Sequence, residues 1–137
     1  MKRWAMLTVF LSLLSTSLLA CSNTTTTNTN NVQVTLSDFK IESSLTTFEH
    51  NLPYHFTIVN KGDLPHEFTI APPITNSDMT MDDIHKTALT HTEFINSGST
   101  KTLNFTFPQS APAGKLEFAC HIEGHYASGM HLSIVVT

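Results

Sequence analysis

The sequence predicts an all-β domain, a sandwich of two β-sheets interrupted by one short helical insertion. From Val32 onward, apolar and polar residues alternate in a series of short segments, and polar turn sequences separate one segment from the next. A period of two places every second side chain on the same face of a strand. Roughly six or seven such strands in about a hundred residues are typical of a β-sandwich.

Six segments carry the alternation, at residues 32–36, 54–60, 66–70, 102–107, 115–118 and 131–136. In the second of them, Tyr54, Phe56 and Ile58 share one face. Turn-forming sequences containing Asn, Gly, Ser or Pro separate the segments at residues 60–63, 97–98 and 112–114. Such residues favour reversals of the chain, so the segments are predicted to be neighbouring strands.

Residues 77–91, with the sequence SDMTMDDIHKTALTH, break this alternation. Ser77 or Asp78 offers an N-cap, acidic residues follow in the first turn, and Ile84 and Ala88 fall on one side. This stretch predicts a short helix inserted between two strands.

The first twenty residues have the features of a targeting segment. Lys2 and Arg3 precede an uncharged, largely apolar run that ends in LLAC. LLAC resembles a bacterial lipobox, which implies cleavage before Cys21 and lipidation of its thiol. The alternative is an ordinary secretory signal whose cleavage site adjoins a cysteine. We therefore expect a signal peptide at 1–20, a lipidated cysteine and flexible polar tether at 21–31, and a folded domain at 32–137 on the periplasmic or extracellular face of a cell membrane.

The charge balance excludes two kinds of partner. Removal of residues 1–20 leaves five of the seven basic residues beside all eleven acidic ones, a formal charge of −6. Nucleic acids and anionic bilayer surfaces both require a basic patch. We expect the membrane to be reached through the lipid anchor and not through surface charge.

Cys120 is the one cysteine of the predicted domain. With Cys21 acylated it has no disulfide partner, and an unpaired thiol in an oxidising compartment is open to oxidation. A bound metal ion would both use and protect this thiol. His125 and Met130 follow it at intervals of five residues.

A thiolate, an imidazole and a thioether together can hold copper in both of its oxidation states. A blue-copper site has two histidines and a cysteine in one plane with a weak axial methionine. His66, just after a turn and at the start of a predicted strand, is the candidate for the second histidine. Each residue taken singly is more often a core or surface residue, and their joint spacing is what indicates a metal site.

The segment CHIEGHYASGM, from Cys120 to Met130, resembles the ligand loop of the cupredoxin, or blue copper, family. Auracyanin-type members match it most closely, whereas azurin and plastocyanin have different loop spacings. The resemblance extends over residues 32–137. It implies a Greek-key sandwich that binds one copper ion through His66, Cys120, His125 and Met130, with His125 offering an exposed edge to partners.

One position departs from the family pattern. Many electron-transfer cupredoxins carry Asn directly after the first histidine ligand, where it braces the ligand loops, and this chain has Glu67. The sequence LPHEF is more similar to bacterial periplasmic cupredoxins, some of them associated with copper handling. Among the other histidines, His121 and His131 are expected to face solvent, with a role at the edge of the copper site as the alternative, and His50 and His55 are expected on the sandwich surface.

The insertion raises the question of a second copper site. Met79, Met81, His85 and His91 could together form a labile site, because thioethers favour Cu(I). The alternative is that the methionines cover the sandwich edge and the histidines are solvated.

Two functions remain open at the level of sequence. The first is a membrane-tethered carrier that transfers single electrons between redox proteins. The second is a copper-binding protein for resistance or delivery. Glu67 and the insertion favour the second function, whereas the complete set of four ligands favours the carrier, and the carrier is the function we expect. The absence of a His-x-His pair and the small size argue against a multicopper oxidase, and no substrate pocket or general base is indicated. We expect a protein that is not an enzyme and whose partners are redox or copper-handling proteins.

Overall fold

The structure is a computed structural model that describes residues 30–76 and 78–137. The predicted signal peptide, Cys21 and most of the tether lie outside these residues. The described elements, in chain order, are β1 (Asn31–Ser37), β2 (Lys40–Ser43), β3 (Thr47–Phe48), β4 (Pro53–Asn60), β5 (Thr69–Ala71), α1 (Met81–Thr87), β6 (Thr90–His91), β7 (Thr100–Thr106), β8 (Leu116–Ala119) and β9 (His131–Val136).

The strands form two sheets. One has the order β2-β1-β4-β7 and the other has the order β3-β9-β8-β5-β6. Most neighbours are antiparallel, but β1 pairs with β4 and β3 pairs with β9 in parallel, so strands distant in sequence lie side by side. The predicted all-β sandwich with one short helix is confirmed.

The apolar core lies between the two sheets. Phe56 on β4 meets Phe118 on β8 with ring centroids 5.8 Å apart and planes at 90°, so side chains of both sheets interdigitate. Phe48, fully buried on β3, packs edge-on against Tyr54 and lies 4.9 Å from Phe107. Each such side chain contributes roughly 1.5–3 kcal/mol by leaving water. The predicted alternation thus marks the faces that form this core.

Two details of the strands differ from the prediction. The strand expected at residues 66–70 begins only at Thr69, because His66 makes an isolated bridge with Ile95 and exchanges both backbone hydrogen bonds with it. The short strands β2, β3 and β6 were not predicted, since segments of two to four residues show little periodicity. The early bridge leaves the His66 ring at the end of the sheet.

The helix begins later than predicted. Thr80 is the N-cap of α1, and a capping box joins its side chain to the Asp83 backbone and the Asp83 carboxylate to Thr80. The predicted N-cap at Asp78 is therefore wrong, because Thr80 has an acidic residue three positions on that closes the box, and Ser77, the other predicted N-cap, lies outside the described residues. Ile84 is the buried residue of the helix, as expected.

In the part of the chain that the structure describes, no helix combines the length and the apolar character needed to cross a membrane.

Candidate metal centre

Three buried side chains converge at one end of the sandwich. The potential ligand atoms of His66, Cys120 and His125 all lie within 4.8 Å of one another. The Nδ1 atoms of the two histidines are 3.2 Å apart, and the Cys120 Sγ lies 3.4 Å from the His125 Nδ1 and 4.0 Å from the His66 Nδ1. Among the described residues this is the one group of three or more His, Cys, Asp or Glu side chains with such spacing.

The loop after β8 brings the C-terminal ligands together. Cys120 follows β8 directly, and its N–H donates to the Met130 carbonyl at 3.1 Å. Met130, wholly buried just before β9, donates its own N–H to the His125 carbonyl at 3.1 Å. Gly129, with φ of 98°, allows the tight return of the chain into β9. His66, Cys120, His125 and Met130 are thus positioned like the ligands of a blue-copper site.

The spacing of the three donor atoms fits a metal ion held between them. Bond lengths of about 2.0–2.1 Å to nitrogen and about 2.3 Å to sulfur, in a trigonal plane, separate the nitrogens by about 3.5 Å and each nitrogen from sulfur by about 3.8 Å. The observed separations of 3.2, 3.4 and 4.0 Å lie close to these values. The donor set of thiolate, two imidazoles and a nearby thioether matches copper.

The titration properties of the ligands also suit a cation. Burial raises the pKa of the Cys120 thiol, and the N–H groups of Glu67 and Ile122 oppose this only in part. Burial, followed by the charge of His66, lowers the pKa of His125 and keeps its ring neutral. A neutral imidazole has a free lone pair, and a cation at the centre would supply the positive charge that a buried thiolate needs.

Asp38, a residue not identified from the sequence, contacts the His66 ring nitrogen that faces away from His125. Its Oδ1 lies 2.8 Å from the His66 Nε2, so that nitrogen carries the proton and Nδ1 faces the centre. The Asp38 carboxylate also accepts hydrogen bonds from the N–H groups of Asp63 and Leu64. The Asp63 hydrogen bond, opposed by burial and reinforced by His66, lowers the pKa of Asp38.

Gly62 and Asn60 explain the turn that precedes His66. A Cβ on Gly62 would collide with the Asp38 Oδ1 and lie 3.0 Å from the His66 Nε2, so a larger residue would displace this pair. The fully buried Asn60 donates to the carbonyls of Leu64 and Ile95, both at 2.8 Å. The turn residues at 60–63 therefore both reverse the chain and hold the segment that carries His66.

Glu67 joins the two ligand segments from a buried position. Its Oε1 accepts the His121 N–H at 2.8 Å, and its own N–H points at the Cys120 Sγ at 3.5 Å. Its Oε2 lies 3.1 Å from the His85 Nε2 on α1. Burial raises the pKa of Glu67, but interactions with His121 and His85 outweigh this effect and lower it. The glutamate therefore braces the loops at the position where many family members have asparagine.

The prediction that His121 faces solvent is wrong. Its side chain is fully buried, and its ring stacks on Tyr126 with centroids 5.4 Å apart. The alternation of a strand stops at β8, and His121 lies in the loop beyond, where that rule no longer applies. His131 is partly exposed beside Glu117, and His55 is exposed on β4.

The structure divides the four residues of the suggested second copper site. Met79 and Met81 border a cavity of about 850 Å³ beside the ligand loop. The rings of His85 and His91 stack in parallel 4.1 Å apart, and both border a smaller cavity of about 230 Å³, which Met81 also reaches.

Comparisons with known proteins agree with this geometry. No family model matches the chain. The chain is similar to the copper-resistant cuproprotein CopI of Vibrio cholerae, with 33% identity over 92 residues that cover 64% of this chain and 53% of the relative. The chain thus spans about half the length of that curated relative.

Solved structures match over most of the chain. Auracyanin B superposes with a TM-score of 0.59 at 19% identity, covering 78% of this chain and 88% of that structure. Reduced auracyanin from Roseiflexus castenholzii superposes with a TM-score of 0.60 at 17% identity, covering 79% of this chain and 97% of that structure. An azurin from Methylomonas sp. strain J superposes with a TM-score of 0.55 at 16% identity, covering 80% of this chain and 98% of that structure. The resemblance found in the sequence is confirmed at the level of the fold, and the chain is a cupredoxin-fold protein.

Proposed function

We propose that this protein binds one copper ion at His66, Cys120, His125 and Met130 and uses it to pass single electrons between redox partners. The observation that carries the proposal is the buried triangle of one thiol sulfur and two imidazole nitrogens, whose atoms all lie within 4.8 Å of one another. A bound copper ion would supply one-electron redox chemistry.

The residues around the ligands limit rearrangement during electron transfer. Asp38 fixes the orientation of the His66 ring, and Glu67 ties the Cys120 loop to the His66 segment. The Glu67 N–H directed at the thiol sulfur stabilises negative charge there. Ligands held in this way keep the same positions in both oxidation states, which favours fast electron exchange.

Exposed apolar side chains on the segments that carry the ligands supply a docking surface. Phe39 packs edge-on against the His125 ring at 4.9 Å and is 37% exposed. Leu64 and Phe94, next to the segments that hold His66, are also exposed. We infer that a redox partner meets the protein at this end, where the path to the ligands is shortest.

A role in copper resistance or delivery is the second candidate, and the similarity to CopI favours it. The two roles differ in copper exchange: a carrier retains its ion in the presence of a chelator, whereas a delivery protein surrenders it. In either role we propose that the protein acts outside the cytoplasm, tethered by a lipid on Cys21, and that it is not an enzyme.

The experiment that tests the site is a Cu(II) titration followed by visible absorption. We expect an intense thiolate-to-copper band that saturates at one equivalent and that Cys120→Ser abolishes. Met130→Leu is the matched control, because loss of a weak axial ligand should keep the band and shift the reduction potential. A band that survives Cys120→Ser would refute the site, and slow copper loss to a chelator would favour the carrier.

A further inference from the structure

Glu67 is a buried carboxylate between the two segments that carry the ligands of the candidate metal centre. Its residue is 1% exposed and directly follows His66. Its backbone N–H points at the Cys120 Sγ at 3.5 Å, and its Oε1 accepts the His121 N–H at 2.8 Å. A charge on this side chain therefore lies close to the ligands and is poorly screened by water.

The contacts of the Glu67 side chain favour its ionised form. Oε1 accepts the His121 N–H, and Oε2 lies 3.1 Å from the His85 Nε2, so both oxygens have a polar partner. A carboxylate buried without such partners would take up a proton. Burial raises the pKa of Glu67, but the interactions with His121 and His85 outweigh this effect and lower it. The side chain is therefore a fixed negative charge at neutral pH.

The negative charge of Glu67 acts on two of the ligands. Burial is the main cause of the raised pKa of the Cys120 thiol, and the charge of Glu67 adds to it. Burial and the charge of His66 lower the pKa of His125, and the charges of Asp38 and Glu67 oppose them. At both ligands the Glu67 carboxylate favours the more positive state. An ion bound between these ligands is subject to the same field.

Bound Cu(II) and bound Cu(I) differ by one positive charge, so a negative charge in a poorly screened position stabilises Cu(II) more than Cu(I). We propose that the Glu67 carboxylate sets the redox balance of the site by stabilising Cu(II) and lowering the reduction potential. This inference rests on the proposed copper site and adds to it a residue that is not a ligand. A partner that reduces the bound ion must then be a stronger electron donor than a site with a neutral residue at position 67 would require.

The test measures the affinities for Cu(II) and for Cu(I) separately, by competition with a chelator for each ion, and the reduction potential by spectroelectrochemistry. Glu67→Gln removes the charge and keeps an acceptor for the His121 N–H. We expect the ratio of Cu(II) affinity to Cu(I) affinity to fall by roughly tenfold, which corresponds to a rise of about 59 mV in the potential. The matched control is Glu117→Gln, which changes a buried glutamate that contacts Tyr126 and His131 instead and should keep the ratio of the parent.

Two further variants separate the charge of Glu67 from its bracing of the loops. Glu67→Asp keeps the charge on a shorter side chain, so its affinity ratio should stay closer to that of the parent than the ratio of Glu67→Gln does. His85→Lys places a permanent positive charge beside the carboxylate, from a helix position outside both ligand segments. We expect it to raise the reduction potential, as Glu67→Gln does.

Three outcomes would overturn the proposal: an affinity ratio in Glu67→Gln equal to that of the parent, a shift in Glu67→Asp as large as in Glu67→Gln, or, should Glu67→Gln not fold, an unchanged potential in His85→Lys. A parent with a thiolate-to-copper band and any of these outcomes would refute this inference and leave the copper site standing. A parent that binds no copper would refute both.

Discussion

At the scale of single residues, Asp38 shows how a side chain outside the ligand set controls a ligand. The carboxylate holds the His66 Nε2 at 2.8 Å and is itself held by the backbone of Asp63 and Leu64. Gly62 leaves room for this arrangement, because a Cβ there would collide with the Asp38 carboxylate. Partners of this kind orient the ring and increase the basicity of the ligand.

We therefore expect Asp38→Ala to weaken copper binding by roughly tenfold to a hundredfold, the usual range for loss of such a partner. The control is Asp63→Ala, which removes an exposed carboxylate from the same turn while its backbone N–H remains. The copper affinities of the parent and both variants would be measured by competition with a chromophoric chelator. Equal affinities in the two variants would show that Asp38 does not support the ligand.

Asp38 could not be predicted from the sequence, and the reason is physical. An aspartate between two strands is most often a turn former, and its contact with His66 joins residues 28 positions apart. The ligands Cys120, His125 and Met130 were predictable because one short loop holds all three and their spacing is itself the signal.

At the scale of secondary-structure elements, Glu67 connects three segments that are separate in sequence. It precedes β5, accepts the N–H of His121 after β8, and contacts His85 on α1. Its pKa is lowered from the usual 4.5, so the unfolded chain binds the proton more readily than the folded one. The stability that Glu67 contributes is therefore fully present above pH 4.5 and is lost as the pH falls through the lower folded-state pKa.

This linkage gives a prediction for the metal-free protein, in which protonation does not compete with copper. Between pH 6 and pH 3, Glu67→Gln should show a smaller loss of urea stability than the parent, because glutamine keeps an acceptor for the His121 N–H and does not titrate. Glu49→Gln, which changes an exposed carboxylate, serves as the control and should follow the parent. If the urea stability of Glu67→Gln fell between pH 6 and pH 3 as steeply as that of the parent, the titration of Glu67 would not be the cause of the acid dependence.

At the scale of the whole molecule, the sandwich places the candidate metal centre at one end. The cellular location of the protein depends on the N-terminal segment. The first described residue, Asn30, lies next to β1, and the residues before it carry the predicted lipidation site. The sequence predicts a polar tether at residues 21–31, so we expect a lipid on Cys21 to hold the domain near a membrane.

We expect the full chain expressed in a bacterial host to incorporate labelled fatty acid and to sediment with membranes. Cys21→Ser should lose both properties, because serine offers no thiol for the lipid. Ser22→Ala, a change at the adjacent residue that keeps Cys21, should behave as the parent. Membrane association that persists in Cys21→Ser would favour the ordinary secretory signal or another means of attachment.

The sequence by itself determined the all-β class, the faces that form the core and the ligand loop from Cys120 to Met130. These features depend on alternation and local spacing, which neighbouring residues set directly. The tertiary structure alone decided that Asp38 supports His66, that His121 is buried against Tyr126, and that the rings of His85 and His91 stack on each other. These contacts depend on the packing of the two sheets, the loops and the helix, which local spacing does not set.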